Sequence, residues 1–249
     1  MNMIEINNLC GGYDKKEILH GVSLSIPAGS FTAIAGPNGC GKSTLLKHII
    51  GELNPFSGEI KIDGISACGL DRIEKARKVS FVGQRSEFAG DFTVQELVTL
   101  GRYCHFDEAS SSSIIDRSME MVGIKHLKDR LISSLSGGEY QLAMISRALC
   151  QDTPIMLLDE ITNNLDPKHE LQILKLLKTF TAEGKTVVCI LHDLSRILSY
   201  ADHTIILKDG SVHADGLTES VITEETVNKV FDISCSIIHV DGHKLLTVY

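Results

Sequence analysis

The chain has no apolar run long enough to cross a bilayer. A membrane helix needs roughly 20 such residues, whereas stretches such as Val187-Val188-Cys189-Ile190-Leu191 end after a few, so no span is expected. Positive charge is also scarce. With 24 Lys and Arg against 32 Asp and Glu, a net charge of −8 and a pI near 5.7, the sequence offers no general surface for nucleic acid or anionic lipid, because such surfaces require clustered cations. Phosphate must therefore be bound locally. The seven cysteines are odd in number and include no CxxC pair, which fits reduced thiols in a cytosolic protein rather than disulfides or a zinc site. The first residues, Met1-Asn2-Met3-Ile4-Glu5-Ile6, show neither a basic n-region nor a continuous apolar h-region, so no secretion signal is expected.

What is present is enough apolar material, 43% of 249 residues, for one large α/β domain or two closely joined lobes. Residues 2–8 and 22–26 alternate apolar and polar side chains, the pattern of an antiparallel edge sheet with one buried face. Residues 31–35 run into a glycine-rich loop, and 42–50 have a helical pattern. Further short strands are expected over 58–62 and 79–82. Thr93 and Glu96 stand at capping-box spacing for a helix over 93–101. From about 88 to 149 the pattern is mostly helical and reads as an insertion lobe, with Ser110-Ser111-Ser112-Ser113 as a loop or a helix entry. Residues 155–159 and 186–191 are near-continuous apolar runs of the kind buried on both faces of a parallel sheet. The helix between them has Asp166 as cap, Pro167 at its first position and Gly184 at its end. Asp209-Gly210 and Asp241-Gly242 read as hairpin turns.

Four groups of residues carry chemistry. In Gly36-Pro37-Asn38-Gly39-Cys40-Gly41-Lys42-Ser43 the glycines let backbone N–H groups crowd around phosphate oxygens. The helix start adds positive partial charge, Lys42 a point charge, and Ser43 a hydroxyl for Mg²⁺. Asp159 ends a buried strand, where a carboxylate is costly without a partner, and Mg²⁺ held through water is one such partner. Glu160 beside it can accept a proton from, or orient, an attacking water; the plainer reading is that both carboxylates cap the next turn. His192 follows another buried strand and points to the same sheet edge, within reach of a γ-phosphate or its water, although a histidine there can also be structural. In Leu135-Ser136-Gly137-Gly138-Glu139, Ser136 and Glu139 are spaced as a capping box. Capping does not require two glycines, which leave bare N–H groups at a helix N-terminus as a second anion site.

Taken together these motifs resemble the nucleotide-binding subunit of an ATP-binding-cassette (ABC) transporter, over nearly the whole chain. The resemblance implies an α/β P-loop NTPase fold with a mainly parallel sheet, an antiparallel β edge subdomain and a helical insertion lobe. Residues 1–87 and 150–216 would form the core with its antiparallel part, 88–149 the helical lobe and 217–249 a short extension. It implies ATP and Mg²⁺ as ligands, with Thr44 joining residues 36–43 around the phosphates. Ser43, Gln84 and Asp159 would face the metal, and Glu160, His192, Gln84 and Lys42 would act in hydrolysis. Tyr13 in Gly11-Gly12-Tyr13 resembles the aromatic that stacks on adenine, though alone it would be an ordinary loop tyrosine. Ser136, Gly137 and Gly138 would close on the ATP of a second copy in a head-to-tail dimer, and Asp166 resembles the aspartate that crosses that interface as well as an N-cap. Two departures stand out: Ile161 where the family usually has proline, which loses a rigid φ, and Tyr140 where glutamine is frequent.

Finer likenesses point to the metal-chelate importers, which serve iron-siderophore, haem and cobalamin uptake. They lie in Thr93-Val94-Gln95-Glu96-Leu97-Val98-Thr99-Leu100-Gly101-Arg102-Tyr103, in Leu191-His192-Asp193-Leu194, in Ala201-Asp202-His203, and in a tail with Thr223-Glu224-Glu225 and Val230-Phe231. The implied partners are a second copy, integral membrane permease subunits docked around residues 88–103 and, indirectly, a substrate-binding protein, with no nucleic acid. The implied location is the cytoplasmic face of the cell membrane. A soluble cassette of iron-sulfur assembly, the energising subunit of a zinc or manganese importer, and an exporter are the alternatives.

Overall fold

The structure is a computed structural model that describes residues 1–83, 91–105, 111–161, 165–240 and 243–249. The chain opens with a long hairpin, β1 (Asn2–Tyr13) and β2 (Lys16–Pro27), followed by β3 (Phe31–Ala35) and α1 (Lys42–Ile50). Then come β4 (Ser57–Ile62), β5 (Ile65–Ser66), α2 (Arg72–Lys78) and β6 (Val79–Val82). Three helices follow, α3 (Val94–Thr99), α4 (Ser111–Met121) and α5 (Gly137–Cys150), before β7 (Ile155–Leu158), α6 (Pro167–Ala182), β8 (Thr186–Ile190) and α7 (Leu194–Tyr200). The chain closes with β9 (His203–Lys208), β10 (Ser211–Leu217), α8 (Thr218–Val221), α9 (Glu224–Phe231), β11 (Cys235–Val240) and β12 (His243–Val248).

The central sheet has the order β10-β9-β3-β8-β7-β6, parallel from β9 to β6, with β10 pairing antiparallel at one edge. A second, antiparallel sheet runs β2-β1-β4-β5. The apolar runs of β3, β7 and β8 are continuous because both faces are covered, and every residue of these strands is buried. Alternation then assigns the faces. Phe31, Ala33, Met156, Leu158, Val187 and Cys189 pack toward α3, α5 and α6, whereas Ile34, Ile155, Leu157, Val188 and Ile190 meet α1 and the antiparallel sheet.

Several sequence boundaries shift. β1 runs on to Tyr13 and β2 starts at Lys16, because register irregularities near Leu9 and Gly11 let the ladder continue through a stretch without alternation. α3 is capped by Thr93 and Glu96 as the spacing requires, but it tightens into a 3₁₀ turn from Leu100 to Cys104. Ser111 to Ser113 open α4. Asp209 and Gly210, both at positive φ (48° and 73°), turn β9 into β10 as a hairpin, while Asp241-Gly242 lies outside the described residues. Among the described residues no helix is long and apolar enough to cross a membrane.

Phe31 is among the largest fully buried side chains and begins the strand that leads into the glycine loop. Phe31→Ala is expected to lower the unfolding free energy by about 3–5 kcal/mol, measured by urea titration.

Candidate functional site

The carboxyl ends of β3, β8 and β7 lie side by side, so the segments that follow them share one edge of the sheet. In open parallel sheets that edge is where ligands bind. After β3, the loop of residues 36–43 passes into α1 through Gly41, whose φ of 103° lets the chain turn into the helix. Gly36 sits so close to β9 that a Cβ there would lie 2.1 Å from the carbonyl oxygen of Leu207. Lys42 is buried, and its Nζ donates to the carbonyl oxygens of Gly36 and Pro37 at 2.8 and 2.9 Å, so the loop wraps around its own cation. Cys40 and Thr44 are also buried, whereas Asn38 and Gly39 are exposed at the tip. Burial raises the Cys40 thiol pKa, with Lys42 acting in the opposite direction.

Asp159 follows β7, is 3% exposed, and receives a 3.0 Å hydrogen bond from Ser43 Oγ. Its backbone N–H donates to Val82 O at 2.8 Å, which fixes it against β6. Burial holds its carboxyl above the usual carboxylate range, while the Ser43 hydrogen bond pulls it down. Glu160 is next, with φ of 54°, a left-handed conformation that costs a non-glycine residue energy and concentrates at functional sites. Its Oε1 lies 2.7 Å from His192 Nε2. Ile161 is fully buried in the core, so packing anchors the turn in place of a proline ring. His192 follows Leu191, whose N–H is held by Ile34 O at 3.2 Å, and Asp193 beyond it caps α7.

Two groups stand apart from this cluster. Ser136 caps α5 in a full capping box: Glu139 N donates to its Oγ at 3.3 Å, and its own N donates to Glu139 Oε2 at 2.8 Å. The bond from the Ser136 amide keeps the Glu139 carboxyl below its usual range. Ser136 and Gly137 are exposed, Gly138 is half-buried, and Tyr140 packs half-buried against the core. Asp166 caps α6 by accepting from Lys168 N and His169 N at 3.0 and 3.1 Å, and pairs with the His169 ring. That ring contact is the main cause of its lowered pKa. Tyr13, at the end of β1, is 41% exposed. Gln84 lies outside the described residues. His169 was not singled out from sequence, although its position three residues after a helix cap carried the signal.

Ser43 to Asp159 and Glu160 to His192 are thus brought together, on a glycine-loop helix and two parallel strand ends, in one P-loop nucleoside triphosphatase site. The family model described as "ABC transporter" matches residues 19–163. The chain is 39% identical to the ferric enterobactin transport ATP-binding protein of Escherichia coli, over 91% of this chain and 86% of that protein. It is 37% identical to the hemin import ATP-binding protein of Rhizobium meliloti, over 92% and 91%. A bacterial ABC transporter cassette solved as a dimer superposes with a TM-score of 0.80 at 32% identity, covering 87% of this chain and 99% of that one. The chain belongs to the ATP-binding subunits of ABC transporters, and it binds and hydrolyses ATP.

Because the Asp159 carboxyl is raised in the folded state, its ionisation opposes folding. Stability is lost as pH rises from the ordinary carboxylate range through the folded value. Asp159→Asn removes this titration and keeps an acceptor for Ser43. In thermal melts without nucleotide or metal, the variant is expected to gain on the wild type as pH rises above the ordinary carboxylate range, and to lose that gain at lower pH, where the wild-type carboxyl is neutral folded and unfolded.

Proposed function

We propose that this chain is the ATPase subunit of an importer for an iron chelate or a similar metal-containing cargo, working as a head-to-tail pair on the cytoplasmic face of a membrane through permease subunits. The observation that carries the catalytic part is the 2.7 Å contact between Glu160 and His192 beside the Ser43–Asp159 pair. Lys42 and the loop amides bind the β- and γ-phosphates. Glu160 takes the proton of the attacking water, and His192, hydrogen-bonded to that carboxylate, orients it and contacts the γ-phosphate. Tyr13 stacks on adenine, and Gln84 senses the nucleotide.

The hydroxyl of Ser43 against a buried carboxylate is an all-oxygen donor set of the kind Mg²⁺ prefers. Ser43, Asp159 and Gln84 would hold the ion, which when bound offsets charge between the phosphates. The exposed N-terminus of α5, with the Ser136 side chain and the Gly137 and Gly138 amides, suits the ATP of a second copy, as does Asp166 at the start of α6. The iron-chelate cargo rests on the ferric enterobactin and hemin relatives, and a substrate-binding protein would deliver it.

A cleft of about 370 Å³ whose lining includes Leu70, Arg72, Phe81, Leu100 and Arg147 would receive the permease. Leu100 in that lining is 40% exposed, and Ile73, next to Arg72 in sequence, is 44% exposed.

Glu160→Gln is expected to retain ATP affinity and lose turnover by about 10²-fold or more, read by calorimetry and phosphate release; turnover near the wild-type rate would remove Glu160 from its role. Leu100→Glu and Ile73→Glu should abolish co-purification of a permease from membranes while Lys42→Ala preserves it, and intact complexes with the glutamate variants would place docking elsewhere.

A further inference from the structure

The helix that begins at the phosphate loop also reaches the tyrosine at the end of β1. Lys47, on α1 five residues after Lys42, places its Nζ over the Tyr13 ring, 5.5 Å from the centroid. The ammonium is also paired with Glu52 Oε1 at 3.1 Å, and that hydrogen bond leads the causes that raise the Lys47 pKa. The Lys47 carbonyl is fixed too, accepting from Glu52 N and Leu53 N at 2.9 and 3.2 Å as the helix ends at Gly51.

The adjacent residue ties the same two elements by shape. His48 is buried, with Nδ1 2.8 Å from Thr44 O. It packs so closely on β1 that a Cβ at Gly11 would lie 2.1 Å from His48 Nε2. Beyond the helix, Phe56 N donates to Cys10 O at 2.8 Å. The end of β1 is therefore registered on α1 at two points, Tyr13 and Gly11, and on the segment after the helix at Cys10, although Tyr13 itself is an exposed side chain on a hairpin.

We infer that Lys47 is a positioning residue for the nucleotide base: its ammonium occupies one face of Tyr13, fixes the ring and leaves the opposite face for adenine. The inference rests on the reading of Tyr13 as the adenine-stacking residue. The cation attracts the electron-rich face of the ring, and a side chain already ordered loses less entropy when the base stacks on it. Phosphate grip at Lys42 and Ser43 and, through Lys47, the support of base grip at Tyr13 then belong to one helix.

The test is calorimetric binding of Mg-ATP and of Mg-tripolyphosphate, which lacks the base, to the full chain carrying Lys47→Ala, Lys47→Arg, Tyr13→Leu or the Tyr13→Leu/Lys47→Ala pair. Lys47→Ala is expected to weaken ATP by about three- to tenfold with tripolyphosphate unchanged, to raise KM for ATP without changing kcat, and to be rescued by Lys47→Arg. In the Tyr13→Leu background the Lys47→Ala loss should vanish. If Tyr13→Leu weakens ATP while Lys47→Ala does not, or the two losses simply add, Lys47 does not act through Tyr13 and the inference falls. An equal loss of tripolyphosphate would mean general damage to α1 and would also overturn it. If Tyr13→Leu leaves ATP affinity intact, the adenine reading fails first and this one with it.

Discussion

The site depends on one constraint, the parallel registration of β3, β8 and β7. Phe31 pairs with Val187 and Ile155 with Thr186, so the three strands end together, and whatever follows each must meet the others. Burial on both faces leaves these strands no freedom to slip, because a one-residue shift would move each apolar set to the opposite face of the sheet. The glycine loop, the Asp159-Glu160 pair and His192 are consequently neighbours although they are far apart in sequence.

Burial at that edge creates an electrostatic problem that the local sequence solves. A buried lysine and a buried aspartate need partners. Lys42 finds two loop carbonyls and Asp159 finds the Ser43 hydroxyl. Both arrangements use groups suited to exchange, since carbonyl and hydroxyl contacts can yield to phosphate oxygens and a metal at little cost. Glu160 differs: its backbone is in the left-handed region, and its carboxylate is already aligned by His192. The energy of that conformation is supplied by the core beneath, where Ile161 is fully buried.

Much of this was legible in sequence because the governing interactions are local. The limits of β3, α1 and β6 and the caps at Thr93, Ser136 and Asp166 follow from short-range periodicity and side-chain-to-backbone hydrogen bonds. What escaped was set by tertiary contact. The ladder of β1 beyond Asn8 is carried by pairing with β2 and β4 through residues that do not alternate. The short α2 has no buried residue, hence no apolar stripe to read, and only Asp71 and Glu74 mark its start. Lys47 over Tyr13 pairs a helix with a distant strand end, which no spacing rule anticipates. The expected role of Gln84 falls outside the described residues.

In the proposed head-to-tail pair the Ser136 cap would serve two chains. A hydroxyl has two acceptor lone pairs and one proton. Within this chain Ser136 uses its oxygen to accept from Glu139 N and its amide to bind the Glu139 carboxylate, and its side chain also interacts with that carboxylate. The capping box removes the Ser136 and Glu139 amides from the pool of donors, so what α5 would offer an external anion is chiefly the Gly137 and Gly138 amides. The glycines matter here for what they omit, since side chains at the mouth of the helix would stand between those amides and a phosphate brought by the facing copy. Under the proposed pairing, capping and ligand recognition make complementary demands on the same five residues, and the local helix start would be a precondition of the shared site.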